Sequence, residues 1–151
     1  NKEGLFREVI HTFVYRASSV KAVPDAYRLS LCSFYNYFIE ILKLKKEHIC
    51  DIGIVNINEA LMRIENSALF CIPDFKEECT KWYEEELQIW KSVIENAIST
   101  GEIKSQSDSI SISYLYEDCY LGRSFDGVFS QGGYDIDRLK QTYDYIYSFL
   151  K

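Results

Sequence analysis

The sequence predicts an all-α domain, an orthogonal helical bundle of about six helices, and three observations carry that expectation. Its 151 residues include only 7 Gly and 2 Pro, too few to punctuate a turn-rich β fold. Apolar residues recur at i, i+3, i+4 and i+7 along most of the chain, the period of helices buried on one face. Helix start and stop signals also follow one another in order, from Asn1 through Val23-Pro24-Asp25 and Ile72-Pro73-Asp74 to Gly101, Gly132-Gly133 and Asp135.

The first helix is expected over residues 1–15, with Asn1 as its cap, Glu3 in the first turn, and Leu5, Phe6, Val9 and Phe13 on one face. A second is expected from Pro24 to about Lys46. Pro suits the first helical position, Tyr27, Leu31, Phe34, Phe38, Ile41 and Leu42 hold the stripe, and Lys43, Lys45 and Lys46 suit the negative end of the dipole. The short β-branched run from Ile52 to Ile57 has no partner run elsewhere and reads as a connection. Asn58 then caps a short helix through Leu61, Ile64, Ala68 and Leu69, and Ile72-Pro73-Asp74 opens a long helix that stops at Gly101. Two more follow, about 107–129 and about 136–150, the last capped by Asp135.

Composition removes several classes of function. A chain that is 47% hydrophobic and 15% aromatic is no disordered tail. No apolar run approaches the ~18 residues of a membrane span, and no signal peptide opens the chain. The net charge of −6 is uneven: residues 1–50 carry +3, residues 51–100 carry −6 and residues 101–151 carry −3. An acidic body is a poor surface for phosphates, which need clustered cations. Cys32, Cys50, Cys71, Cys79 and Cys119 form no C-x-x-C pair and are odd in number, which points to reduced cysteines in a cytoplasmic protein. His48 and Cys50 lack a second ligand pair, so no metal or other cofactor is expected. No phosphate loop, G-x-S-x-G, H-E-x-x-H or Cys–His pair marks an enzyme, and His11 and His48 read as surface or helix-end residues.

Two helices are unusual. In the helix about 107–129, Ile112, Leu115, Cys119 and Gly122 form one face, while Ile110, Tyr114, Leu121, Phe125 and Val128 form another on nearly the opposite side. A helix apolar on two sides needs cover on two sides, and in so short a chain a second subunit can supply it. In the helix from Asp74, the residues Phe75, Cys79, Trp82, Tyr83, Trp90, Val93 and Ala97 share a face, and Glu86 projects into its middle. A carboxylate there is costly unless paired or protonated. With Trp82, Tyr83 and Trp90 it could receive a cationic aromatic ligand; equally, the rings could be ordinary core and Glu86 could pair with an Arg.

The opening Asn1-Lys2-Glu3-Gly4-Leu5 resembles the segment after the recognition helix of TetR-family transcriptional regulators, where Lys2 and Leu5 match a Lys-x-x-Leu motif. Ile94-x-x-Ala97-Ile98-x-x-Gly101-Glu102-Ile103 is similar to the end of that family's long seventh helix, and Asp126-Gly127 matches a later Asp-Gly. The only Met is Met62, so a chain opening at Asn1 is expected to be the ordered part of something larger.

The resemblance implies a homodimeric regulator, most simply a repressor. Residues 1–15 would be the helix leading to an N-terminal helix-turn-helix, and operator DNA would be met through that part alone. Residues 16–151 would bind a small, aromatic or amphipathic effector in a pocket drawn from Phe13, Tyr35, Phe38, Trp82, Tyr83, Glu86, Trp90 and Cys119. The last two helices would form a four-helix dimer interface through Ile110, Tyr114, Leu121, Phe125, Val128, Leu139, Tyr143, Ile146 and Leu150. The competing expectation is a helical adaptor or cargo-binding module without DNA-binding activity, which would expose an apolar groove rather than enclose a cavity.

Overall fold

The computed structural model describes residues 1–12, 19–104, 106 and 108–151. All regular structure among them is helical: α1 (Lys2–Ile10), two 3₁₀ turns (Val20–Ala22 and Asp25–Tyr27), α2 (Leu31–Asp51), α3 (Ile57–Cys71), α4 (Phe75–Ser99), α5 (Ser109–Gly127) and α6 (Ile136–Leu150). The all-α bundle expected from the sequence is the fold observed. No helix among the described residues is long and apolar enough to cross a membrane. Phe13 and the end of the expected 1–15 helix lie outside the described residues, as do Ser18 and Ser107.

Side-chain caps set most of the helix starts. Asn1 accepts from the Gly4 amide at 2.7 Å, and Asp135 accepts from Arg138 at 2.9 Å, each satisfying an amide that the helix itself leaves open. Two starts differ from expectation. Pro24 opens only a 3₁₀ turn, and α2 begins at Leu31 with Ser30 as its cap. Its first amides are taken by a residue far along the chain. Glu102 accepts from the amides of Leu31 and Cys32, both at 2.9 Å, and from the hydroxyls of Ser30 and Tyr147 at 3.0 and 3.1 Å. Because α2 runs on to Asp51, Lys43, Lys45 and Lys46 sit in its body rather than its last turn; Lys46 donates to the Tyr134 carbonyl at 2.9 Å.

The second difference is at α3, where Asn56 is the cap and Asn58 lies buried in the first turn. Asn58 Oδ1 accepts from the Tyr134 amide at 2.8 Å, while Asn56 Nδ2 donates to the carbonyls of Gly127 and Ser130 at 2.9 and 2.7 Å. The start of α3 thereby holds the turn between α5 and α6. The 52–56 connection bends at Gly53, and Gly101 ends α4 as expected; both have positive φ, at +92° and +75°.

The main core lies among α2, α4, α5 and α6 and is largely aromatic. A smaller one joins Ile10 of α1 to Ala68, Ile72 and Phe75, with Phe6, Ile64 and Cys79 against it. The α6 residues expected at a dimer interface point into this chain's own core. Leu139, Tyr143 and Leu150 are buried within this chain, and Ile146 packs against the same core. An apolar stripe on a terminal helix is satisfied first by its own bundle, and α6 spends its stripe on α2 and α5. On α5, Leu121 also packs inward and Val128 is half-buried, whereas Ile110, Tyr114 and Phe125 are exposed.

Candidate functional site

Three of the residues expected to line an effector pocket instead fill the core. Trp90 stacks on Tyr116 with ring centres 4.8 Å apart and meets the edge of Phe34 at 4.8 Å. Phe38 contacts Tyr120 at 5.2 Å, and Tyr35 contacts Tyr143 at 5.8 Å. Edge and offset contacts of this kind close an interior without leaving space. The hydroxyl of Tyr35 donates to Asp144 at 2.8 Å, and burial together with that bond pushes its pKa up. Tyr83 is half-buried and donates to Asp118 at 3.1 Å. Cys119 packs against the core, and burial raises its thiol. Tyr35, Phe38, Tyr83, Trp90 and Cys119 do not line the cavity described below, and Phe13 lies outside the described residues.

Glu86 is fully buried, and among the described residues its partners are a hydroxyl, an amide and a second carboxyl rather than an arginine. Its Oε1 accepts from Ser19 Oγ at 2.6 Å and from the Val20 amide at 3.2 Å. Its other oxygen is left to Glu117 of α5, equally buried, whose Oε2 accepts from Trp90 Nε1 at 2.9 Å. Burial and the bond to Glu86 push Glu117 far above the usual carboxyl range, and burial also raises Glu86. Two buried carboxyls in contact hold one proton between them, because both cannot ionise. The pair as a unit carries the proton and the remaining charge. The pair ties the Val20–Ala22 turn to α4 and α5, with Lys21 paired to Glu85 on the outer side.

The enclosed space lies beside this core. A cavity of about 190 Å³ is bounded by Leu61, Met62 and Glu65 of α3, Trp82 of α4 and Tyr120 and Phe125 of α5, with Asn58 and Tyr134 at one end. Among the residues expected to hold an effector, Trp82 alone lines it. The α3 contribution was missed, although Glu65 stands one turn from Leu61 on the apolar stripe and repeats the anomaly that singled out Glu86. Phe125, read as interface, stands at the rim.

Glu65 has no hydrogen bond or ion pair among the described residues, and burial raises its carboxyl above the usual range. Among the described residues the cavity lining carries no Lys, Arg or His. Such a site can hold a small, mainly apolar molecule and offer it aromatic rings, the Ser124 hydroxyl, the Asn58 amide and one carboxyl. Among the described residues no group of His, Cys, Asp and Glu is arranged to hold a metal ion. Set against models of known families, curated proteins and solved structures, the chain matches none.

Proposed function

We propose that this chain is the effector-binding and dimerisation domain of a TetR-like transcriptional regulator, a repressor whose helix-turn-helix lies outside the 151 residues. The observation that carries the reading is a shared wall. α3 and α4 bound the cavity, and α1 rests on those same two helices. Ile10 packs against Ala68, Ile72 and Phe75, while Arg7 bridges to Asp74 at 2.7 Å and to Glu78 at 2.5 Å. A molecule entering the cavity displaces α3 relative to α4, and α1 must follow. By the resemblance, α1 leads to the DNA reader. A ligand acts there only if it binds one position of α1 better than the other.

Dimerisation is supported by what α5 and α6 leave uncovered. Phe125 near the end of α5 pairs with Phe129 in the turn just after it, and Tyr145 pairs with Phe149 on α6; all four are 60–76% exposed. Exposed aromatic pairs on adjacent helices are a surface that a second copy can bury isologously. These residues replace the inward-facing Leu139, Tyr143 and Leu150 in the interface.

The coding sequence upstream of Asn1 tests the reading. A helix-turn-helix ending in aromatic-x-x-Phe is expected there, and any other start overturns it. Sedimentation equilibrium of the chain at micromolar concentration should give a dimer; a monomer removes the interface. A stable monomer that captures amphipathic helical peptides on the exposed α5–α6 aromatics would favour the adaptor instead.

A further inference from the structure

We infer that the cavity between α3, α4 and α5 takes a small organic monocation, with Glu65 as its counter-ion. This rests on the reading of that cavity as the effector site. A carboxylate without a partner is an expensive lining for a cavity whose other walls are Leu61, Met62, Trp82, Tyr120 and Phe125. Glu65 is half-buried and makes no hydrogen bond or ion pair within the described residues, so its carboxyl is open to a guest.

The surroundings select the sign of that guest. Among the described residues no cationic side chain lines the cavity. An anion would meet the Glu65 carboxylate without a cationic partner among these described residues. A cation gains a charge-assisted bond to Glu65 and the faces of Trp82 and Tyr120. Size sets the other bound. A cavity of about 150 Å³ takes up benzene, so 190 Å³ has room for one ring and a short ammonium arm.

Three probes of matched size separate the possibilities by calorimetry near neutral pH: benzylamine as the cation, benzyl alcohol as its neutral counterpart, and benzoate as the anion. Benzylammonium should bind about tenfold more tightly than benzyl alcohol, and benzoate should not bind. Glu65→Gln should bring benzylammonium down to the level of the alcohol and leave the alcohol unchanged. Equal binding of amine and alcohol, or a preference that survives Glu65→Gln, overturns the inference while the cavity stands as a ligand site. Binding of none of the three overturns the cavity reading, and this inference with it.

Discussion

Glu86 and Glu117 meet between α4 and α5 as two fully buried carboxyls that share one proton. The folded chain thus holds a proton that the unfolded chain releases. Because the folded pKa of Glu117 is raised from 4.5 to about 10, its stabilisation is complete below the ordinary carboxyl value and is withdrawn as pH climbs between those limits. Glu117→Gln copies the protonated acid, since its amide donates to Glu86 and its oxygen still accepts from Trp90. The variant should gain on the order of 1–3 kcal/mol at pH 8 and almost nothing near pH 5. Glu86→Gln should also fold, with its amide donating to an ionised Glu117. The double variant sets two amide groups against each other and should lose more than either single one. Denaturation at several pH values reads all three; a Glu117→Gln loss that is the same at every pH removes the shared proton.

Glu102 works in the opposite direction. Burial disfavours its charge, but the amides of Cys32 and Leu31 with the hydroxyls of Ser30 and Tyr147 outweigh burial and hold its pKa below the usual range. Its contribution is present above pH 4.5 and is lost as pH falls through the folded value. Glu102→Gln should cost about 1–3 kcal/mol at neutral pH, and the gap from the native chain should close in acid. An unchanged urea midpoint at pH 7 would show that α2 is started by Ser30 alone.

Gly127 is confined by its neighbour across the turn. A Cβ there would lie 2.6 Å from both Tyr134 Cα and Cβ, and the Asn56 and Asn58 clamps keep that backbone from yielding. Gly127→Ala should destabilise by at least about 1–3 kcal/mol. Gly122, inside α5 with nothing within 4 Å of an added Cβ, is the control, and Gly122→Ala should stabilise the isolated chain by about 0.5–1 kcal/mol.

Arg7 holds α1 through exposed carboxylates, so its removal should barely move the global unfolding midpoint. Its effect should be local: Arg7→Ala should speed amide exchange in Lys2–Ile10 and leave α4 protected. Exchange in α1 that stays as slow as in the native chain would place its anchoring entirely in the Ile10 contacts.

What could be read from the sequence divides by distance along the chain. α6 was legible to the residue because Asp135 and its apolar stripe are adjacent in sequence. The start of α2 was not, because the decisive acceptor is Glu102, some 70 residues away, and Pro24-Asp25 mimics a local start signal. Asn58 passed for a cap because a buried asparagine serving Tyr134 looks the same in sequence as one serving its own helix. For the site, Glu86 was visible as a misplaced carboxylate. Its partner was not, since an acid seeking an acid contradicts simple charge pairing and only shared burial produces it. Tyr35, Phe38 and Trp90 were read as pocket because helical spacing shows that rings face inward without showing whether space remains among them.

The two tryptophans stand two turns apart on α4 in opposite surroundings. Trp90 is stacked on Tyr116 with its indole N–H on a carboxyl, sealed from water; Trp82 borders the cavity. Their emission should therefore report separately. Trp90 fluoresces against a fixed environment until the bundle opens, whereas the colour and yield of Trp82 follow whatever occupies the space beside it. The chain carries an optical gauge of occupancy together with its own internal reference, and Trp82→Phe leaves the reference alone.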